Sequence, residues 1–181
     1  MIKVAIVEDF ELIREDLKEL IDSQEDMQVV WAAETGVQAV ELAEKEATDI
    51  ILMDIEMETI NAGILAAEKI RDKNSEQKII FMTAHETNEM IITAMGTGAV
   101  DYLVKGEDSE EILSHIRNAF AGRATMNSRI QETIMREYSR LQRSERSLLF
   151  FIHNVSQLTA AERELVKLLL EGMKVKEIAQ V

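Results

Sequence analysis

The chain has 181 residues, 46% of them apolar and 30% charged, and it carries a net charge of −14. That length suits one full domain plus a smaller second piece, and the composition is ordinary for a soluble globular protein. With no cysteine, a disulfide framework, a thiolate metal site and a cysteine nucleophile are all excluded.

Apolar runs such as Leu148 to Ile152 are far too short to cross a membrane. The N-terminus lacks the basic-then-apolar layout of a signal peptide, because Val7 runs straight into Glu8 and Asp9. A cytoplasmic protein is expected. The charge is uneven: residues 1–122 hold 27 acids and 10 bases, whereas residues 123–181 hold 7 acids and 10 bases. The acidic first part would repel nucleic acid, while the basic tail would tolerate it.

Along the chain, short apolar runs alternate with helix-length amphipathic segments. Strands are expected at about 2–7, 28–33, 49–53, 78–82 and 100–104, and helices at about 10–23, 36–47, 63–73, 87–96 and 108–121. In the first helix Leu12, Ile13, Leu17, Leu20 and Ile21 are spaced to line one face; in the fifth, Ile112, Leu113, Ile116 and Phe120 do the same. Continuous apolar strands alternating with helices give a doubly wound parallel α/β sheet, and right-handed crossovers favour the order 2-1-3-4-5.

After Gly122 the texture changes. Residues 126–155 contain no glycine or proline and read as one long helix. Ile134, Leu141, Leu148 and Val155 recur every seven residues, joined by Ile130, Tyr138, Phe151 and Ile152. Such a repeat suits either a seam with a partner helix or a linker helix that packs on its own domain. Thr159 then caps a further helix, with Glu162 completing a capping box, and that helix stops at Gly172. Another begins near Lys174.

The chemistry lies at the strand ends. Glu8 and Asp9 follow the first strand, Asp54 the third, Thr83 the fourth and Lys105 the fifth. In open α/β sheets the carboxyl ends of the strands, at the point where strand order reverses, form the ligand crevice. Carboxylates crowded there cannot all stay ionised unless a cation joins them, and hard oxygen donors without cysteine or clustered histidine point to magnesium. Magnesium uses one or two carboxylates plus a substrate phosphate oxygen, so the crevice suits a phosphoryl group. Asp54 can serve as nucleophile, Lys105 as a neutralising point charge and Thr83 as a hydroxyl donor to a phosphoryl oxygen. Asp54 is expected at an exposed strand end. His85, His115 and His153 lack ligand spacing, and His115 is expected on a helix surface. Methionines 53, 57, 82 and 95 are expected to fill core or near-core positions, and Trp31 to serve packing alone.

This constellation resembles the receiver domain of two-component response regulators. The residues carrying the resemblance are Val7-Glu8-Asp9, the run from Ile51 through Asp54 to Met57, Phe81-Met82-Thr83-Ala84, and the run from Gly98 through Lys105 to Gly106. The resemblance covers residues 1–122. It implies Mg2+ bound by Glu8, Asp9, Asp54 and the backbone carbonyl of Glu56, and Asp54 as phosphoacceptor for a sensor histidine kinase. It also implies that Tyr102 is an aromatic whose inward or outward rotamer reports phosphorylation. Two departures stand out. Met57-Glu58 and Asn61-Ala62-Gly63 occupy the place where the family usually has Met-Pro and then Asp-Gly, and Gly106 replaces the proline after the lysine.

The tail from Leu158 to Val166, then Glu171-Gly172 and Lys176 to Ala179, resembles the opening of a LuxR-type helix-turn-helix. The chain ends before the recognition helix that would enter the major groove, so the resemblance implies a NarL-type regulator cut short. The expected organisation is a receiver at 1–122, a helical linker and possible dimerisation helix at 123–157, and an incomplete helix-turn-helix at 158–181. DNA would be a partner of a full-length protein and a poor one of this chain; a homodimer is expected, and a turnover enzyme is not. Two other readings compete: a receiver-like interaction module that works without phosphorylation, and a phosphatase of the haloacid dehalogenase type. The second is the weaker, since that family places its nucleophile after the first strand.

Overall fold

The computed structural model describes residues 1–84, 87–106, 108–123, 126, 128–156, 159 and 167–168. Among the described residues, five strands and six helices follow in the order β1 (Ile2–Val7), α1 (Glu11–Asp22), β2 (Met27–Ala33), α2 (Gly36–Lys45), β3 (Ile50–Asp54), α3 (Ala62–Lys73), β4 (Lys78–Thr83), α4 (Asn88–Gly96), β5 (Asp101–Val104), α5 (Ser109–Phe120) and α6 (Ser128–Ser156). All strand pairs are parallel, in the order β2-β1-β3-β4-β5. The doubly wound sheet expected from the alternating pattern is therefore the one that forms. The expected capping box at Thr159 and Glu162, and the helices beyond it, lie outside the described residues apart from Thr159, Lys167 and Leu168.

The apolar runs form strands because both faces of the sheet are covered, so every residue of β3 is buried. Alternate residues serve different layers. Ile51 and Met53 join Val7, Phe81 and Tyr102 on the side packed by Ala39, Ile64, Ile70 and Ile91 of α2, α3 and α4. Ile50 and Leu52 join Val4, Ile6, Ile80 and Leu103 on the side packed by Leu17 and Ile21 of α1 and Leu113 and Ile116 of α5. Helix starts are held by side chains: Thr35 accepts from the N–H of Gln38, and Thr87 from that of Met90, both at 3.2 Å.

Three expectations about helix faces are corrected. In α1 the inward stripe is Arg14, Leu17 and Ile21, while Leu12 is 68% exposed. At 100° per residue, Leu12 and Ile13 cannot share the inward direction, and Ile13 takes it. In α5, Ala119 faces the core and Phe120 points outward, where Lys78 Nζ lies 5.6 Å above its ring. His115 is not a surface histidine: its Nδ1 sits 2.6 Å from Oδ2 of the buried Asp101. Methionines 53 and 82 are buried, and Met57 and Met95 pack against the core, as expected. Trp31 packs as expected but also donates its indole N–H to Thr48 Oγ1 at 2.8 Å.

The chain forms two compact units, Met1–Met135 and Arg136–Val181. Within the first, Ile130 is fully buried and Ile134 half-buried against the core side shared with α2 to α4. Among the described side chains of the second, Tyr138, Leu141, Leu148, Leu149 and Phe150 are exposed. No helix of the described residues is long and apolar enough to cross a membrane.

Candidate functional site

Strand register brings the acids together. Val7 of β1 stands beside Met53 of β3, so the next residues, Glu8 and Asp54, emerge side by side at the carboxyl edge. Thr83 of β4 pairs with Val104 of β5, and the N–H of Lys105 donates to the Thr83 carbonyl at 2.7 Å. Lys105 is thereby aimed back across β4 toward β3.

Its ammonium reaches both buried acids. Lys105 Nζ lies 2.7 Å from Asp54 Oδ2 and 2.7 Å from Glu8 Oε2. The remaining oxygens are held by backbone donors: the N–H of Phe10 donates to Glu8 Oε1 and that of Glu56 to Asp54 Oδ1, each at 3.3 Å. Asp9 is exposed and supplies a third carboxylate oxygen, and oxygens of Glu8, Asp9 and Asp54 all lie within 4.8 Å of one another. Thr83, the last residue of β4, and Tyr102, within β5 and paired with Phe81, are both buried, and Tyr102 packs in the core. Asp54 is 2% exposed, which corrects the expectation of an exposed strand end. His85 lies outside the described residues.

Burial sets the electrostatics. Desolvation raises the carboxyl pKa of Glu8 above its ordinary value against the pull of Lys105, and the neighbouring Asp54 charge adds to the rise. Asp54 is raised for the same leading reason, again opposed by Lys105. Burial works to lower the Lys105 pKa, but its hydrogen bonds to Asp54 and Glu8 outweigh it and hold the ammonium above its ordinary value. Glu8 and Asp54 thus share one ammonium with Asp9 alongside, and with all three carboxylates ionised the group would exceed that ammonium by two negative charges. A hard divalent cation fits that donor set: oxygen ligands only, mixed buried and open, and a charge deficit that the cation would cancel.

Arg14 is the component that sequence reasoning missed. Its guanidinium donates to the Glu8 carbonyl at 2.8 Å and to Glu34 Oε1 at 3.1 Å, and so ties the β1–α1 turn to the end of β2. Its spacing with Leu17 and Ile21 was the available signal, because an arginine on an inward stripe must find buried acceptors.

The two departures have structural counterparts. Gly106 adopts φ +96°, a backbone that proline, fixed near φ of about −65°, cannot take. Gly63 packs so closely on β3 that a β-carbon there would stand 1.8 Å from the Asp54 carbonyl oxygen.

Comparisons with known proteins agree with this geometry. The family model for the response regulator receiver domain matches residues 4–117. The nitrate/nitrite response regulator protein NarL of Escherichia coli is 30% identical over 177 residues, covering 98% of this chain and 79% of NarL. The transcriptional regulatory protein LiaR of Bacillus subtilis is 32% identical over 180 residues, 99% of this chain and 82% of LiaR. A crystal structure of a LuxR-family two-component response regulator from Aurantimonas sp. SI85-9A1 matches at 28% identity with a TM-score of 0.68, over 76% of this chain and 97% of its own.

The chain belongs to the response regulator receiver family. Its relatives across nearly the whole length are transcriptional response regulators of the NarL and LiaR kind, not turnover enzymes, so it is a two-component response regulator. They do not favour an interaction module that works without phosphorylation. Receivers of this family bind Mg2+ at an acidic pocket, and Glu8, Asp9 and Asp54 form such a group here.

Proposed function

We propose that Asp54 accepts a phosphoryl group from a phosphohistidine of a sensor histidine kinase, and that the phosphorylated receiver switches a transcription-regulating output. The observation that carries this reading is Lys105 Nζ at 2.7 Å from both Glu8 and Asp54, with Asp9 alongside. An Asp54 oxygen forms the new bond to phosphorus, the bond from phosphorus to the imidazole nitrogen breaks, and its electron pair stays on the imidazole. Glu8, Asp9, Asp54 and the Glu56 backbone carbonyl would hold the metal, which, when bound, neutralises charge on the phosphoryl oxygens.

Lys105 exchanges part of its hold on Asp54 for a phosphoryl oxygen, and the Thr83 hydroxyl donates to another. Burial of the acids excludes bulk water and strengthens these interactions. The switch then passes to Tyr102, which shares a core layer with α4 residues Ile91 and Ala94. Hydrolysis of the aspartyl phosphate by the protein itself returns it to the resting state, without turnover of an external substrate.

The organisation that suits this role is a receiver at 1–122, a linker at 123–157 and a DNA-directed segment at 158–181, working in the cytoplasm as a homodimer. The exposed Tyr138, Leu141 and Leu148 on α6, at heptad spacing, supply the dimer seam. Incubation with Mg2+ and acetyl phosphate followed by intact-mass measurement tests the central claim. One added phosphoryl group in the wild type, absent in Asp54→Ala, is expected; a persistent adduct in the variant overturns it.

A further inference from the structure

Glu58 stands in the loop between β3 and α3, four residues beyond Asp54, yet its carboxylate is bonded elsewhere. The N–H of Gly36 donates to Glu58 Oε1 at 3.0 Å and to Oε2 at 3.3 Å, across 22 residues of sequence. Gly36 is the first residue of α2, so its N–H is one of the donors left without an intrahelical partner, and a carboxylate there also meets the favourable end of the helix dipole. The two helix starts are pressed together at this point: a β-carbon on Gly36 would stand 2.9 Å from the Ala62 carbonyl oxygen. That leaves Gly36 rigidly placed as an anchor.

The loop so anchored is the one that carries Glu56. Inside it, the Met57 N–H donates to Thr59 O at 3.2 Å, and the Gly63 N–H donates to Ile55 O at 3.1 Å. Glu56 meanwhile donates its own N–H to Asp54 Oδ1. Glu58 lies two residues from Glu56 and joins this short path to α2. A proline at position 58 would stiffen the loop through its fixed φ; glutamate leaves the backbone free and restrains it by a cross-element hydrogen bond instead.

We propose that Glu58 is a positioning residue for the metal site: its bond to Gly36 holds the β3–α3 loop, and through it the Glu56 carbonyl, in the orientation that cation binding at Asp54 requires. This rests on the metal reading above and adds to it the means by which the loop ligand is oriented. Outer partners that orient a ligand typically change metal affinity by about 10–100-fold when removed. Because this one acts at one remove, through the backbone of Met57, the low end applies.

The test compares wild type, Glu58→Ala and Glu58→Gln by Mg2+ titration calorimetry and by thermal unfolding with and without Mg2+. Glu58→Ala is expected to weaken Mg2+ binding about tenfold and to shrink the rise in melting temperature that Mg2+ gives. Glu58→Gln keeps an acceptor oxygen and loses the charge, so it is expected to stay within about threefold of wild type. Equal melting losses with and without Mg2+, at unchanged affinity, would reduce Glu58 to a helix cap and overturn the proposal. So would Glu58→Gln falling as far as Glu58→Ala, which would make the effect one of charge. A wild type that fails to bind Mg2+ would strike the metal reading itself and the proposal with it.

Discussion

Gly63 lies directly against the carbonyl of Asp54, so close that a β-carbon would stand 1.8 Å from its oxygen. The start of α3 is thus packed on the residue that the proposed chemistry uses, and the fit leaves room for hydrogen alone. Gly63→Ala must push α3 away from β3 or distort the Asp54 backbone. Overpacking of this kind costs about 1–3 kcal/mol, and this contact is severe enough for the upper end. Urea unfolding is expected to show that loss, and phosphorylation by acetyl phosphate is expected to slow.

Asp54→Asn is expected to raise the melting temperature of the metal-free protein while abolishing phosphorylation. The Asp54 pKa is raised, led by desolvation, so the folded state binds its proton more tightly than the unfolded state does. The charge therefore costs stability at pH values above the raised folded pKa. That cost fades as pH falls through the folded value and is gone below the ordinary one. An asparagine of the same shape removes the cost at neutral pH. Scanning calorimetry that finds the variant less stable than wild type without metal would contradict the argument.

Mg2+ affinity is expected to fall as the solution is acidified from neutral. Glu8 and Asp54 both have raised pKa values, led by burial, so protons compete for the same oxygens at higher pH than for exposed carboxylates. Each proton that must leave weakens binding by about tenfold per pH unit below the relevant folded value. Calorimetric titration across a pH series checks this. A flat profile down to the ordinary carboxylate range would show that these two acids are not ligands.

Thr83→Ala is expected to accept a phosphoryl group yet respond weakly at the surface of α4, β5 and α5. The added charge and oxygens bias the neighbouring elements only through a group that follows them, and on the proposed reading the Thr83 hydroxyl would be that group. On the proposed reading, Tyr102, buried in β5, would carry the response onward. NMR shift changes on phosphorylation of equal size in wild type and variant would refute the coupling.

Leu141→Glu combined with Leu148→Glu is expected to abolish dimerisation and leave the receiver fold intact. Both side chains are more than half exposed on α6, at 54% and 58%. Burying a leucine is worth about 1.5–3 kcal/mol, so two of them on each of two chains can decide association. Sedimentation velocity showing an unchanged assembly would exclude the stripe from the seam.

The sequence by itself determined the sheet and the membership of the acidic crevice. Continuous apolar runs buried on both faces, separated by helix-length segments, admit few topologies once crossovers are right-handed. Chemistry-bearing residues directly after such runs must then fall on one edge. Glu8, Asp9, Asp54 and Lys105 were legible for that reason. Tertiary structure alone decided which of Leu12 and Ile13 turns inward, that Phe120 turns out, that His115 meets Asp101, and that Asp54 is buried. It alone joined Arg14 to Glu34 and Glu58 to Gly36, pairs separated by 20 and 22 residues. Periodicity reports the direction a side chain takes within one element. The partner it finds there depends on how two elements are set against each other, which is fixed only when the helices pack on the sheet.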